Sequence, residues 1–104
     1  MRYWEKSDQG LILKRRKSEV INEIRKLSQI DPLLFGSVAR GTASVESDID
    51  ILIPEMIHSP EKLEEIRLNL QEILGYDVDL VSYLGTPNSM VKHILNYGKS
   101  IKRM

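Results

Sequence analysis

Hydrophobic residues recur at helical spacing from about Arg16 to Leu27. Val20, Ile21, Ile24 and Leu27 fall three and four residues apart, with Glu19, Glu23, Arg25 and Lys26 between them. Asp31-Pro32 closes this stretch, because a residue preceding proline is pushed out of the helical basin. Pro32-Leu33-Leu34-Phe35 then reads as a short buried strand, and Val38 to Gly41 fits one or two helical turns. Thr42 to Ser47 is small and polar, a loop pattern. Asp48 to Ile53 is rich in β-branched residues and predicts a second strand, ended by Pro54. Ser59-Pro60-Glu61 is a helix start, with serine as N-cap, proline at the first position and glutamate in the first turn. Leu63, Ile66, Leu70, Ile73 and Leu74 form the apolar stripe of that helix, and Gly75 is its C-terminal cap. Val78 to Tyr83 predicts a third strand. Thr86-Pro87 repeats the helix-start signal for a last helix bearing Val91, Ile94 and Leu95 and ended by Gly98.

This order of elements predicts an α+β or α/β sandwich, with a small sheet of three or more strands flanked by helices. Two segments resist assignment. Met1 to Gly10 mixes Tyr3 and Trp4 with charges, so these aromatics are either a partner-binding patch or a folded-back core anchor. Lys99 to Met104 is basic and reads as a mobile tail.

The chain of 104 residues bounds the molecule to one domain, 1–104, with 1–14 as a poorly defined N-terminal extension and 99–104 as the tail. Lysine plus arginine equals aspartate plus glutamate at 15 each, so no general attraction to nucleic acid or anionic membrane is expected. The run Lys14-Arg15-Arg16-Lys17 reads as a solvated helix end. Cysteine is absent, which excludes disulfides, thiolate catalysis and cysteine–zinc sites. Charges interrupt every apolar run, so neither a membrane span nor a signal peptide is legible and a cytoplasmic location is expected.

The chemistry-bearing pattern lies in the middle of the chain. Strand residues alternate faces, so Asp48 and Asp50 share one face while Ile49, Ile51 and Ile53 fill the core. Two carboxylates one pleat apart repel each other unless a cation compensates, and Mg²⁺ prefers oxygen ligands of this kind. Gly36 permits close backbone approach, and a helical turn starting at Ser37 would aim free N–H groups at an anion. A third carboxylate is available at Asp77 or Asp79, which share pleat parity, so alternation does not choose between them. Asp79, flanked by Val78 and Leu80, is expected to be buried beside the sheet and to need a partner. His58 and His93 are expected to be surface residues, and Tyr83 and Tyr97 to pack.

Gly36-Ser37-Val38-Ala39-Arg40-Gly41 followed by Ser47-Asp48-Ile49-Asp50 resembles the signature of the DNA polymerase β-like nucleotidyltransferase superfamily, and in particular its minimal nucleotidyltransferase (MNT) branch. The resemblance covers roughly Leu33 to Tyr83. It implies the nucleotidyltransferase fold, a nucleoside triphosphate substrate such as ATP, and two Mg²⁺ ions. By position, Gly36 and Ser37 would hold the triphosphate, and Asp48 and Asp50 would coordinate metal. Asp79, in Val78-Asp79-Leu80-Val81, matches the third carboxylate. Arg40 would contact phosphate or brace the Asp48–Asp50 loop by a salt bridge, the latter being the expectation here.

The resemblance further implies an antitoxin of type VII character that transfers AMP to a tyrosine of a partner HEPN-domain toxin; apolar helix faces available for pairing leave both a homo- and a hetero-oligomer open. Competing readings are a non-catalytic antitoxin that masks its toxin, or nucleotidyl transfer to RNA or to a small molecule such as an aminoglycoside. The neutral charge favours a protein acceptor over nucleic acid.

Overall fold

A computed structural model describes residues 2–104, and Met1 lies outside them. A 3₁₀ turn at Tyr3–Lys6 leads into helices α1 (Asp8–Arg15) and α2 (Lys17–Ile24), which meet at Arg16. Strand β1 (Leu33–Phe35) runs directly into the short helix α3 (Gly36–Arg40). Then follow β2 (Ile49–Ile53), α4 (Pro60–Leu74), β3 (Val78–Ser82), α5 (Asn88–Tyr97), β4 (Lys99–Ser100) and a 3₁₀ turn at Ile101–Arg103. The sheet order is β3-β2-β1-β4, with β2 and β3 parallel and the other neighbours antiparallel. The architecture is the α+β arrangement expected, with a fourth strand added at the β1 edge.

The register explains how the sheet divides its labour. Leu34, Ile51 and Leu80 are aligned across β1, β2 and β3 and are 0%, 0% and 5% exposed. One position along the strands, Phe35, Asp50 and Asp79 form the next row. Cross-strand partners share a face and neighbouring positions alternate, so the first row points into the core and the second points away from it. The core beneath the first row is filled by Leu13 of α1, Val20 and Ile24 of α2, and Ile66, Leu70 and Leu74 of α4. The Ser59 hydroxyl caps α4 by accepting from the Lys62 N–H, as its sequence pattern predicts. Thr86 does not cap α5; its hydroxyl donates to the Ser82 carbonyl instead, at 2.6 Å.

The core-anchor reading of the N-terminal aromatics holds for Trp4 and not for Tyr3, which is 61% exposed, and the reading of the C-terminal tail is corrected. The N-terminal segment is ordered, and Trp4 is a core anchor at 2% exposure. Gly10 lies inside α1, where a Cβ would strike the Trp4 carbonyl, so the close approach of that turn requires glycine. The tail is not mobile in character: Lys99–Ser100 pairs with Leu33–Leu34, and Ile101 and Met104 are buried. Its apolar residues, separated by Lys102-Arg103, are too few to display a period. In the run Lys14-Arg15-Arg16-Lys17 the first three residues are exposed, as expected of a solvated helix end, but Lys17 is half-buried and its Nζ donates to the carbonyls of Lys102 and Met104.

If the tail is part of the core, Ile101→Ala should lower unfolding free energy by about 2–5 kcal/mol. Urea denaturation measures this, and an unchanged midpoint would mean that the last residues contribute nothing.

Candidate active site

Asp50 occupies the central strand β2, between Phe35 of β1 and Asp79 of β3. Neighbouring strands lie about 4.8 Å apart, so the carboxylates of Asp50 and Asp79 rise side by side. Asp48 is the last residue of the loop before β2 rather than a strand residue. The strand begins where the Ile49 N–H donates to the Asp77 carbonyl, at 2.9 Å. Asp48 and Asp79 are exposed and Asp50 is half-buried. The expectation of a buried, partnered Asp79 is therefore incorrect. β3 is an edge strand, so no further strand shields the face on which Asp79 stands. The register also separates the two candidates for a third carboxylate: Asp79 stands beside Asp50, and Asp77 lies outside the strand.

Burial raises the Asp50 carboxyl to about 6, with further upward pushes from Asp79 and Asp48 and a smaller opposing pull from Arg40. An underneutralised cluster of this kind suits a hard cation. Among the described residues no three acidic or imidazole side chains are already gathered into a ligating group. Mg²⁺ keeps several waters and takes few protein carboxylates alongside substrate phosphates, so it does not require such a gathered group. Asp48, Asp50 and Asp79 are the carboxylates that could hold such an ion.

Gly36 is fixed by this cluster. It has a positive φ of 75°, and a Cβ added there would fall on the Asp50 carboxylate. The strand-to-helix turn thus brings backbone against the acidic group, and no side chain caps the first turn of α3. Ser37 follows in that turn. Arg40, at the far end of α3, is exposed and enters none of the ion pairs among the described residues. The expected brace on the Asp48–Asp50 loop is therefore not made; Arg40 acts on Asp50 only through its field.

Two clefts flank the acidic row. One, of about 530 Å³, is mostly apolar and lies between α3 and α5, lined by Phe35, Gly36, Arg40, His93, Tyr97 and Tyr3, among others. The rings of His93 and Tyr97 lie 4.9 Å apart. Tyr97 is 71% exposed, which overturns the expectation that it packs; α5 buries little besides Ile94. The other cleft, of about 520 Å³, lies at the β3 edge and is lined by Asp48, Asp77, Asp79, Arg67 and Gln71.

Three residues not singled out in the sequence support this site. Gln71 Oε1 accepts from the Val78 N–H at 3.0 Å, and Arg67 Nη1 donates to the Val78 carbonyl at 3.3 Å. These α4 side chains occupy outward-facing backbone groups of the edge strand, next to Asp79. Buried Gln9 donates from Nε2 to the carbonyls of Ser44 and Ser47, at 2.7 and 3.2 Å. Sequence carries little signal for such roles, since amides and arginines on helices are ordinarily solvated.

The model of a nucleotidyltransferase domain matches residues 17–102. The chain belongs to the nucleotidyltransferase domain family. It is 40% identical over 63 residues to the protein adenylyltransferase MntA of Thermococcus cleftensis, covering 60% of this chain and 64% of that one. A solved structure provisionally described as a minimal nucleotidyltransferase superposes with TM-score 0.72 at 30% identity, over 83% of this chain and 89% of that chain. A toxin–antitoxin crystal structure with AMP-PNP superposes with TM-score 0.68 at 27% identity, over 82% and 71% of the respective chains. The resemblance seen in the sequence is thus confirmed at the level of family and fold, and the chain is a nucleotidyltransferase of the minimal type.

The raised Asp50 carboxyl has a thermodynamic consequence in the metal-free nucleotidyltransferase. It binds its proton more tightly folded than unfolded, so folding takes up a proton between the ordinary value of 3.8 and about 6. Its effect on stability is absent at the acid end of that window and becomes unfavourable as pH rises through it. Asp50→Asn should therefore melt higher than wild type at pH 7, by about 4 °C, the shift that about 1 kcal/mol produces after allowance for solvent screening. The gap should close by about pH 4. Calorimetry at both pH values checks this, and an equal gap at both would refute the electrostatic origin.

Proposed function

We propose that this nucleotidyltransferase is the antitoxin of a toxin–antitoxin pair, and that it transfers AMP from ATP to a tyrosine hydroxyl of a HEPN-type toxin. The observation that carries the reading is the alignment of Asp50 with Asp79, flanked by Asp48, between two distinct clefts. Its relationship to an adenylyltransferase and its likeness to a toxin–antitoxin structure with an ATP analogue support the choice of donor and partner. The cytoplasm, where ATP is supplied, is the proposed setting; no helix among the described residues is long and apolar enough to cross a membrane.

In this mechanism the α3–α5 cleft takes the nucleoside. Its volume suits a ligand of that size, and exposed Tyr97 offers a ring face to the base. Gly36 and Ser37 hold the triphosphate at the uncapped start of α3, with Arg40 contributing positive potential. The acceptor enters from the β3 edge, where Asp79 is exposed. Asp48, Asp50 and Asp79 would hold two Mg²⁺ ions, which when bound neutralise phosphate charge and acidify the attacking hydroxyl. The tyrosine oxygen forms a bond to the α-phosphorus as the bond to the bridging oxygen breaks. Pyrophosphate departs, and Asp79 assists removal of the hydroxyl proton.

Incubation with α-labelled ATP, Mg²⁺ and the neighbour-encoded toxin should label the toxin. Asp48→Ala should reduce the rate by about 10³-fold or more, in keeping with loss of a preorganised electrostatic group. Equal labelling by wild type and Asp48→Ala would sink the catalytic reading. Protection of cells by the Asp48→Ala/Asp50→Ala variant at normal expression would show that masking suffices. Tyr97→Ala should raise the KM for ATP by about tenfold if it stacks on the base, for which about 1–3 kcal/mol is typical. An unchanged KM would place the base elsewhere.

A further inference from the structure

The family match begins at residue 17, yet the segment before it reaches the acidic site. Gln9 lies on α1 and is only 2% exposed. A buried primary amide is costly unless its hydrogen-bonding groups are used, and its amide nitrogen has two acceptors, both in the loop before Asp48. They are the Ser44 carbonyl at 2.7 Å and the Ser47 carbonyl at 3.2 Å. The second belongs to the peptide that joins Ser47 to Asp48.

The loop is also tied within itself. The Ser44 N–H donates to the Ser47 hydroxyl at 2.9 Å, and the Ser47 N–H to the Ser44 carbonyl at 3.2 Å. This closes a small polar turn whose one apolar residue, Val45, is 85% exposed; the nearest apolar contact with the core is Ala43, just before it. On the other side of Asp48, the Ile49 N–H is held by the Asp77 carbonyl. Asp48 is therefore suspended between two fixed peptides, one pinned by α1 and the other by the start of β3, with its carboxylate left exposed.

The position of α1 is itself secured by the N-terminal turn. Trp4 is buried, and the Trp4 carbonyl lies so close to Gly10 that no side chain would fit there. The Ser7 hydroxyl caps α1 by accepting from the Gly10 N–H at 3.1 Å. Backbone of the same turn lies against Gly41, just after α3, where a Cβ would meet the Tyr3 carbonyl at 2.8 Å. The segment thus packs at the end of α3 and reaches across to the loop that presents Asp48.

We infer that Gln9 is a positioning residue for Asp48, and that the N-terminal segment outside the family match is part of the active-site framework. The inference rests on the reading of Asp48 as a metal-binding carboxylate. Gln9 touches neither substrate nor reacting atoms; it acts by fixing the peptide that carries Asp48.

The test compares Gln9→Leu, which keeps the apolar volume and deletes the amide, with Ile101→Ala, which weakens the core at the C-terminal turn and removes no hydrogen bond to the loop. Three quantities are read: the Asp48 backbone order parameter by NMR in metal-free protein, Mn²⁺ affinity, and kcat and KM for ATP. Gln9→Leu should lower the Asp48 order parameter from the rigid to the flexible range, with Ile51 unchanged. It should weaken Mn²⁺ binding and kcat by about tenfold, the scale seen when a residue orienting a metal ligand is lost. The KM for ATP should stay within about twofold, since the proposed nucleotide cleft is lined by other residues. Ile101→Ala should lower the melting temperature while leaving Asp48 order, Mn²⁺ affinity and kcat at wild-type values. If Gln9→Leu leaves Asp48 ordered, or if Ile101→Ala reproduces its losses at matched stability, the inference is overturned. Should the wild type show no transferase activity, the proposed function fails while the order parameter still decides the role of Gln9.

Discussion

The register between β2 and its two neighbours is the constraint on which the rest depends. It places Leu34, Ile51 and Leu80 in one row and Phe35, Asp50 and Asp79 in the next. A slip of one residue in β2 would drive Asp50 into an apolar core and expose Ile51 to water. Burial of the first row and solvation of the second therefore enforce each other. The hydrophobic effect, acting on three aliphatic side chains, is what brings two carboxylates side by side. Without it their mutual repulsion would drive them apart.

That repulsion is retained in the folded protein. Asp50 is partly desolvated and faced by Asp79 and Asp48, while Arg40 is too exposed and too distant to form an ion pair. The site is held in an unfavourable electrostatic arrangement by packing elsewhere, which is the pattern expected where a cation belongs to the working state. Gly36 contributes by having no side chain. Backbone lies against the Asp50 carboxylate where any Cβ would collide, so the N–H groups of the α3 turn and the carboxylate oxygens can adjoin.

Polar side chains on helices supply the remaining precision. Gln71 and Arg67 of α4 occupy the free backbone of Val78 at the sheet edge, and Gln9 of α1 occupies carbonyls in the loop before Asp48. Each satisfies backbone groups that sheet pairing leaves open. The apolar stripes of α1 and α4 bury the core, and polar residues beside those stripes hold the segments on either side of the acidic row.

The sequence by itself determined the elements with strong periodicity and caps: α4, with Ser59, Pro60 and Gly75, and the strands around Ile51 and Leu80. It also determined the outward face of Asp50 and the Gly36-Ser37 turn, because these are local consequences of pleat and dihedral preference; Asp48 falls in the loop before β2, where pleat alternation does not apply. The tertiary structure alone decided the matters that depend on long-range neighbours. It separated Asp79 from Asp77, because only strand pairing says which aspartate stands beside Asp50. It exposed Asp79, because only sheet order says that β3 is an edge. It released Arg40 from the expected brace and left Tyr97 in a cleft. It ordered both chain ends, through Trp4 and Ile101, because single buried anchors carry no periodic signal. And it revealed Gln9, since a hydrogen bond spanning 38 residues leaves no trace in local spacing.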